Sequence, residues 1–218
     1  MNDLIGLAKK SILFQGITSE EMEEMVSCLS PRNKTFKKHQ YIYKIGDNIS
    51  NIGLVKTGSV LAVEDDWWGN RNIIRRFSVG EFFGEAYALS SKPINFSILA
   101  NEETEIIFLD VSSIMHTCKK NCPYHNKLIN NFVSLLAEKN IALKSKIENV
   151  TKRTTREKIL SYLLKYSSKL SSKDFDIPFD RQQFADYLCV DRSALSSELG
   201  KLKKERIIDF KKNHFHLE

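Results

Sequence analysis

The sequence predicts an α+β chain in three consecutive parts: an N-terminal antiparallel β-roll of the jelly-roll kind, a long helix, and a C-terminal pair of short helices closed by a β-hairpin wing. Three observations predict it. Short β-rich runs separated by turn residues crowd the stretch from about 34 to 110. The stretch from Pro123 to Val150 has no Pro or Gly inside it and repeats apolar residues at 3–4 spacing. Residues 180–206 hold two short helical patterns around a brief break, with two strand-like runs after them.

The predicted strands are Tyr41–Ile45, Ile52–Lys56, Ser59–Glu64, Ile73–Phe77, Phe96–Ala100 and Ile106–Leu109. Gly46-Asp47, Thr57-Gly58, Gly69-Asn70 and Val79-Gly80 punctuate them. A short amphipathic helix over 18–29 precedes them, capped by Thr18 or Ser19 with acidic residues in its first turn. Val111–Cys118 is expected as a further short helix before Pro123. In the long segment, Ile129, Leu136, Leu143 and Val150 are seven apart, and Val133, Asn140 and Ile147 fill the alternate positions. That is a seam of about three heptads, with Asn140 as the polar member that fixes register in a two-stranded assembly. The alternative is a long helix packed on its own domain. A turn at Thr151–Thr154 leads to a helix over Thr155–Leu170, with Ile159, Leu160, Leu163 and Leu164 on its apolar face, and then to a Ser-rich loop ending at Asp176. The parts are therefore residues 1–122 (roll), 123–150 (long helix) and 151–218 (paired helices and wing).

Composition narrows the class. The chain has 218 residues, 42% hydrophobic and 28% charged, which suits a globular protein. No apolar run approaches a membrane span, and the first residues lack an export leader, so a cytoplasmic protein is expected. The four cysteines, Cys28, Cys118, Cys122 and Cys189, form no disulfide framework. The net charge of +6 is unevenly spread: residues 151–218 hold 15 Lys/Arg against 10 Asp/Glu, and residues 1–150 hold 18 against 17. Excess cation on the last third points to a nucleic-acid-facing module.

In that last third, Asp180 caps a helix over Arg181–Leu188 with Phe184, Ala185 and Leu188 inward. Cys189-Val190-Asp191 makes the break, and Asp191 caps a second helix from Arg192 to about Arg206 with Leu195, Leu199 and Leu202 inward. This is a helix-turn-helix spacing, although Cys189 stands where many such turns use Gly. Left outward are Arg192, Ser193, Ser196 and Ser197, on the turn that would enter a major groove, with Gln182 and Lys201 beside them. Arg192 suits a guanine edge or a phosphate, the serines bases or phosphate oxygens, and Lys201, Lys203 and Lys204 the DNA backbone. Ile207–Phe210 and His214–Leu217 around Lys211-Lys212-Asn213 form the wing. The competing interpretation is an ordinary helical hairpin with a solvated lysine face.

The order of parts resembles the catabolite activator/FNR (Crp/Fnr) family of bacterial transcription regulators over nearly the full chain. Its most specific stretches are Gly80-Glu81-Phe82-Phe83-Gly84-Glu85 in the roll and Asp191-Arg192-Ser193-Ala194-Leu195-Ser196 in the second helix. The resemblance implies a cyclic-nucleotide-binding-like sensor domain and a homodimer on a pseudo-palindromic DNA operator. It also implies contact with RNA polymerase and a signal passed through the long helix. In cyclic-nucleotide-binding relatives the Gly-Glu pair takes the ribose, and a later Arg-Ser or Arg-Thr neutralises the cyclic phosphate. Here Gly84 and Glu85 match, but the later pair falls on Asn95-Phe96, which leaves a phosphate without its cation. Arg75 and Arg76 point to opposite strand faces and substitute poorly. A cyclic nucleotide is therefore not expected, and Gly84-Glu85 is expected to be a turn glycine and a structural carboxylate. Residues 1–27 hold no Cys for the iron–sulfur cluster of FNR-type sensors, and haem would rest on His39 or His116 alone. No cofactor is expected.

Cys118, Cys122 and His125 would share a helix face and are a weak metal or redox candidate, the plainer alternative being small buried side chains and a capping His. Trp67-Trp68, on the loop from Glu64 to Asn70, are expected to pack in the core or at an interface, or with Phe83 and Tyr87 to line an apolar effector pocket. No Gly-rich phosphate loop, nucleophile elbow or metal-hydrolase motif argues for an enzyme. The functions left open are a regulator whose roll answers a small molecule, metal or redox change, one that needs no effector, and a protein-interaction module.

Overall fold

The computed structural model describes residues 6–7, 11–115 and 124–218. Its two compact units are Met1–Glu64 with Ile74–Asn140, and Asp65–Ile73 with Ile141–Glu218. The division falls inside the long helix, where the expected parts ended at 122 and 150.

In the first unit, helix α1 (Ser19–Leu29) starts on a full capping box: Thr18 accepts from the Glu21 amide while the Glu21 carboxylate accepts from the Thr18 amide. Eight strands follow: β1 (Arg32–Phe36), β2 (Tyr41–Tyr43), β3 (Asn51–Thr57), β4 (Val60–Asp65), β5 (Arg71–Phe77), β6 (Phe82–Phe83), β7 (Ser97–Ala100) and β8 (Thr104–Asp110). They make two four-stranded sheets, ordered β1-β8-β3-β6 and β2-β7-β4-β5. The six expected strands are present with shifted ends; β1 and β6 are additions. Helix α2 (Glu85–Ser90), which the sequence reading did not foresee, and α3 (Val111–Met115) interrupt and follow the strands. The expected extension of α3 to Cys118 lies outside the described residues.

The roll packs in two layers. Between the sheets lie Val55, Val60, Phe83, Ile98 and Ile106, all buried. On the other face of the first sheet, Ile52, Leu54 and Ile107 meet Leu13, Met25 and Leu29, together with Leu128, Phe132 and Leu135 of the 26-residue helix α4 (His125–Val150). Glycine is required at position 53. Gly53 pairs with Phe83, and a Cβ there would lie 2.2 Å from Phe83 Cζ, well inside contact distance.

In the second unit, α5 (Thr155–Leu170) begins on a Thr154/Glu157 capping box. Ile159 and Leu163 point inward as expected, whereas Leu164 is exposed and Tyr162 takes the inward place. Tyr162 is the hub of a ring cluster, with centroids 5.1 Å from Phe184, 5.4 Å from Tyr187 and 6.2 Å from Phe179. The expected loop up to Asp176 instead ends in strand β9 (Asp174–Asp176). It pairs with β11 (His214–Leu217), which pairs with β10 (Ile208–Lys211), so the wing is a three-stranded sheet. Phe175 fills the inner face of β9, and its acidic neighbours hid the alternation. No helix among the described residues is long and apolar enough to cross a membrane.

Lys146, on α4 in this unit, is largely buried. Its ammonium donates to the Ile73 carbonyl, lies 3.5 Å from Asn72 Oδ1 and sits 4.7 Å over the Tyr187 ring. Burial pushes its pKa down to about 8, with nearby Cys189 opposing the shift.

Two expectations follow from this packing. Gly53→Ala forces the Phe83 ring aside and lowers stability by about 1–3 kcal/mol, checked by the urea midpoint. For Lys146, the unfolded chain holds a proton between pH 8 and the ordinary lysine value of 10.5 that the folded chain has released. Stability therefore rises with pH across that window, by on the order of 3 kcal/mol relative to Lys146→Met. Denaturation of both proteins across this pH range measures the difference.

Candidate nucleic-acid interface

Helices α6 (Arg181–Leu188) and α7 (Arg192–Lys204) occupy the expected span and are joined by residues 189–191. Asp180 caps α6 as expected: its carboxylate accepts from the Gln183 amide at 2.8 Å, and the Gln183 side chain accepts from the Asp180 amide at 3.2 Å. Asp191 holds the N-cap position of α7 but makes no side-chain capping bond, which corrects the expectation for that residue. Cys189 ends α6 in the left-handed region at φ 52°, the conformation for which Gly is the usual choice. Its amide still closes the helix on the Ala185 and Asp186 carbonyls. Lys158 of α5 reaches the Leu188 and Cys189 carbonyls, both at 3.2 Å, and places a cation on the negative end of α6.

Phe184, Ala185 and Leu188 of α6 and Leu195, Leu199 and Leu202 of α7 are buried. With those positions turned inward, Arg192, Ser193, Ser196 and Ser197 are left exposed on the first turns of α7. Gln182 and Lys201 are exposed too, but both have partners: Gln182 Nε2 donates to Asp186 at 2.7 Å, and Lys201 pairs with Glu198 at 3.1 Å. Lys203 pairs with Asp209 and sits 5.5 Å over the Phe210 ring. The structure thus brings the four N-terminal residues of the predicted set together and places the lysines in a local ion-pair lattice.

Sequence reasoning missed Arg181. Its guanidinium donates to the Lys212 carbonyl at 3.1 Å and stacks 5.0 Å over Phe210, so it fastens the start of α6 to the wing. Burial pushes its pKa down, and the nearby Arg192 charge pushes the same way. The available signal was its position directly after the Asp180 cap. Arg156 was also missed: it joins Glu198, at 3.5 Å, and Glu205, both on or just beyond α7. The Glu205 hydrogen bond is the main cause of its raised pKa.

In the roll, Gly84 adopts φ 87° ahead of α2, as a turn glycine should. Glu85 is buried and pairs with Lys139 of α4 at 2.6 Å. Lys139 also donates to the Phe82 carbonyl at 2.6 Å and lies 5.3 Å over the Phe77 ring. Burial pushes the Lys139 pKa down, with Glu85 opposing the shift. Glu85 Oε2 has no hydrogen-bond partner among the described residues. Asn95 and Phe96 engage one side chain: Tyr87 donates its hydroxyl to Asn95 Oδ1, and its ring meets Phe96 edge-on at 5.4 Å. Arg75 pairs with Glu81 at 3.0 Å and Arg76 donates to Ser78 at 2.9 Å, so the two arginines serve separate neighbours. Phe83 is core; Trp67 and Trp68 are 95% and 84% exposed, so they neither fill the core nor line a closed pocket.

Of the metal candidate, Cys118 and Cys122 lie outside the described residues. His125 is buried, with Nε2 3.4 Å from the Ser113 carbonyl. Among the described residues no cluster of His, Cys, Asp or Glu could hold a metal ion. His39 sits exposed on a turn at φ 65°, and His116 is outside the described residues.

Two family models match the chain: a cyclic nucleotide-binding domain over residues 33–121 and a Crp-like helix-turn-helix domain over residues 157–218. Among solved structures, FixK2 from Bradyrhizobium japonicum is 19% identical, covers 86% of this chain and 92% of its own, and superposes with a TM-score of 0.67. The c-di-GMP-responsive global regulator CLP of Xanthomonas campestris is 14% identical, with coverage of 92% and 99% and a TM-score of 0.72. A CooA variant from Carboxydothermus hydrogenoformans is 16% identical, with coverage of 88% and 85% and a TM-score of 0.70. A cAMP/cGMP-dependent phosphodiesterase from Dictyostelium discoideum is 30% identical over 145 residues, but these span 63% of this chain and 12% of that protein. A roll matched by the first model, followed by paired helices and a wing matched by the second, makes this chain a member of the Crp/Fnr family of transcription regulators.

Proposed function

We propose that the protein is a homodimeric, sequence-specific transcription regulator that reads a pseudo-palindromic DNA operator. The observation that carries this reading is the exposed Arg192, Ser193, Ser196 and Ser197 face at the start of α7, fixed by three buried leucines on the opposite side. A face of that size fits a major groove, with Arg192 reading a guanine edge. Homodimerisation is supported by the long helix. Val133, Asn140, Leu143 and Ile147 are exposed on the stripe predicted as a seam, with Ile129, Leu136 and Val150 partly covered. Leu128, Phe132 and Leu135, on the adjoining face, are buried in the chain's own core. Two copies related by a twofold axis would present two recognition helices roughly 34–36 Å apart. RNA polymerase as a partner, a cytoplasmic location and the absence of catalytic activity belong to the same reading.

The roll is proposed to work without a cyclic nucleotide and without a bound cofactor. The support is chemical. Asn95 and Phe96 offer no positive charge to a cyclic phosphate, and the Glu85 carboxylate is already matched by Lys139. A regulator that needs no diffusible effector is the reading this favours. Cysteine-based metal or redox control through Cys118, Cys122 and His125 is the second.

Selection of bound DNA from a random pool, with and without reducing agent and zinc, tests the regulator reading and yields the operator. Arg192→Ala is expected to lose about 1–3 kcal/mol on that operator and to broaden its preference, measured by gel shift. For the roll, Glu85→Ala strands a buried ammonium and is expected to cost about 3–5 kcal/mol, whereas Glu85→Leu with Lys139→Met costs much less. Chemical denaturation compares the two. Added cyclic AMP is expected to leave the wild-type melting temperature unchanged.

A further inference from the structure

We propose that the outer face of the wing is a proton-operated DNA contact: when His214 and His216 take up protons, a face that repels the phosphate backbone comes to attract it, so affinity for DNA rises as pH falls. The proposal deepens the DNA-binding reading above and rests on it. Strand alternation builds the face. Phe175 and Phe215 are buried on one side of the three-stranded sheet, so their neighbours Asp174, Asp176, His214 and His216 share the other. Register adds two residues of β10: Asp209 lies opposite His216, and Lys211 lies opposite His214. Carboxylates hold both imidazoles. His216 Nδ1 lies 2.8 Å from Asp174 Oδ1, while His214 Nδ1 lies 3.3 Å from Asp176 Oδ1 and its Nε2 lies 3.9 Å from Asp174 Oδ1.

Location ties this face to the recognition helix. Arg181, at the start of α6, donates to the Lys212 carbonyl at the wing tip and also feels the charge of Arg192. The tip, with Lys211 and His214 beside it, therefore stands next to the first turn of α7. The charges on the face nearly balance. Asp174, Asp176 and Asp209 are set against Lys211 and against Lys203 of α7, which pairs with Asp209; three carboxylates less two ammonium groups leave −1. Asp209 keeps its charge, because the Lys203 hydrogen bond, helped by the Phe210 amide, holds its carboxyl below the usual range. Only the imidazoles change charge between about pH 5 and 8, and two added protons turn −1 into +1. The side chains are exposed or half-exposed, so salt screens their effect on one another. Duplex DNA, however, presents one charge per about 1.7 Å of its axis, and each further cation that meets it releases counterions. Protonation and DNA binding therefore favour each other, and the gain is lost as pH rises through the imidazole range.

The test titrates the full chain with duplex DNA of mixed sequence, and with the selected operator, at low salt from about pH 8 to about pH 5.5. Wild-type binding is expected to tighten at least about threefold across this range, with a salt slope steeper by about one to two at the acid end. His214→Gln with His216→Gln is expected to keep the affinity of the alkaline end throughout. His214→Lys with His216→Lys carries the charge permanently and is expected to bind tightly at both ends, with unchanged circular dichroism. Wild-type binding that does not respond to pH, or a response that survives undiminished in the glutamine variant, overturns the proposal and leaves the DNA-binding reading intact. A folded lysine variant that binds no better than wild type at the alkaline end overturns it too. Failure of the wild type to bind either DNA at any pH overturns both.

Discussion

One helix has to satisfy two surroundings at once. Helix α4 carries two apolar rows at the same 3–4 spacing, set about a quarter turn apart. The row through Leu128, Phe132 and Leu135 closes the roll's core, and the row through Val133, Leu143 and Ile147 is left exposed. Because the inner row is held by buried aromatic and aliphatic packing, the helix cannot roll about its axis to cover the outer row without opening that core. The outer row is thereby a fixed feature of the folded chain, and its apolar surface favours a partner. Lys139 sits on the inner side of the same helix, which ties the buried Glu85 to the helix as firmly as the leucines tie the sheet.

The recognition face obeys a parallel constraint. Burial of Leu195, Leu199 and Leu202 fixes the rotation of α7, so Arg192 and the serines are outward by necessity. The angle between α6 and α7 depends on the short break. There Cys189 adopts a left-handed backbone, which costs a non-glycine residue on the order of 1 kcal/mol or more. Lys158 donating to the Leu188 and Cys189 carbonyls, and the Cys189 amide closing on Ala185 and Asp186, offset that strain. Arg181, bonded to the Lys212 carbonyl, fixes the wing against the same pair of helices.

Features governed by periodicity were legible in the sequence; features governed by distant partners were not. The inward leucines of α7 and the Asp180 cap each follow from spacing within one element, and the structure has them where the pattern puts them; the buried row Leu128, Phe132 and Leu135 of α4 was not read from the sequence. Helix α2 was missed because its six residues are too few to display a period, and β9 because Asp174 and Asp176 flank a single buried Phe175. Leu164 was assigned inward because a wide apolar stripe can be rotated by one position, and the ring cluster around Tyr162 decided the rotation. Arg181, Lys139 and Lys146 look like ordinary surface cations in the sequence. Their partners are a carbonyl, a carboxylate and a carbonyl contributed from elsewhere in the fold, which no local pattern encodes. Trp67 and Trp68 misled for the opposite reason: large aromatic rings usually signal a core, but the Asp66 turn holds these two in solvent.

The Glu85–Lys139 pair also ties the roll to the long helix. A buried carboxylate needs a matching charge or donors, since leaving it alone costs far more than a hydrogen bond returns. Here the match comes from the helix instead of from a ligand, and the Phe82 carbonyl and the Phe77 ring complete the ammonium's surroundings. Any polar ligand entering beside Glu85 would have to replace three contacts of a largely desolvated lysine, or leave that lysine buried without them. Either outcome disturbs α4 at residue 139, next to Asn140 on the exposed stripe. The position of the helix at residue 139 and the surroundings of this carboxylate are therefore coupled.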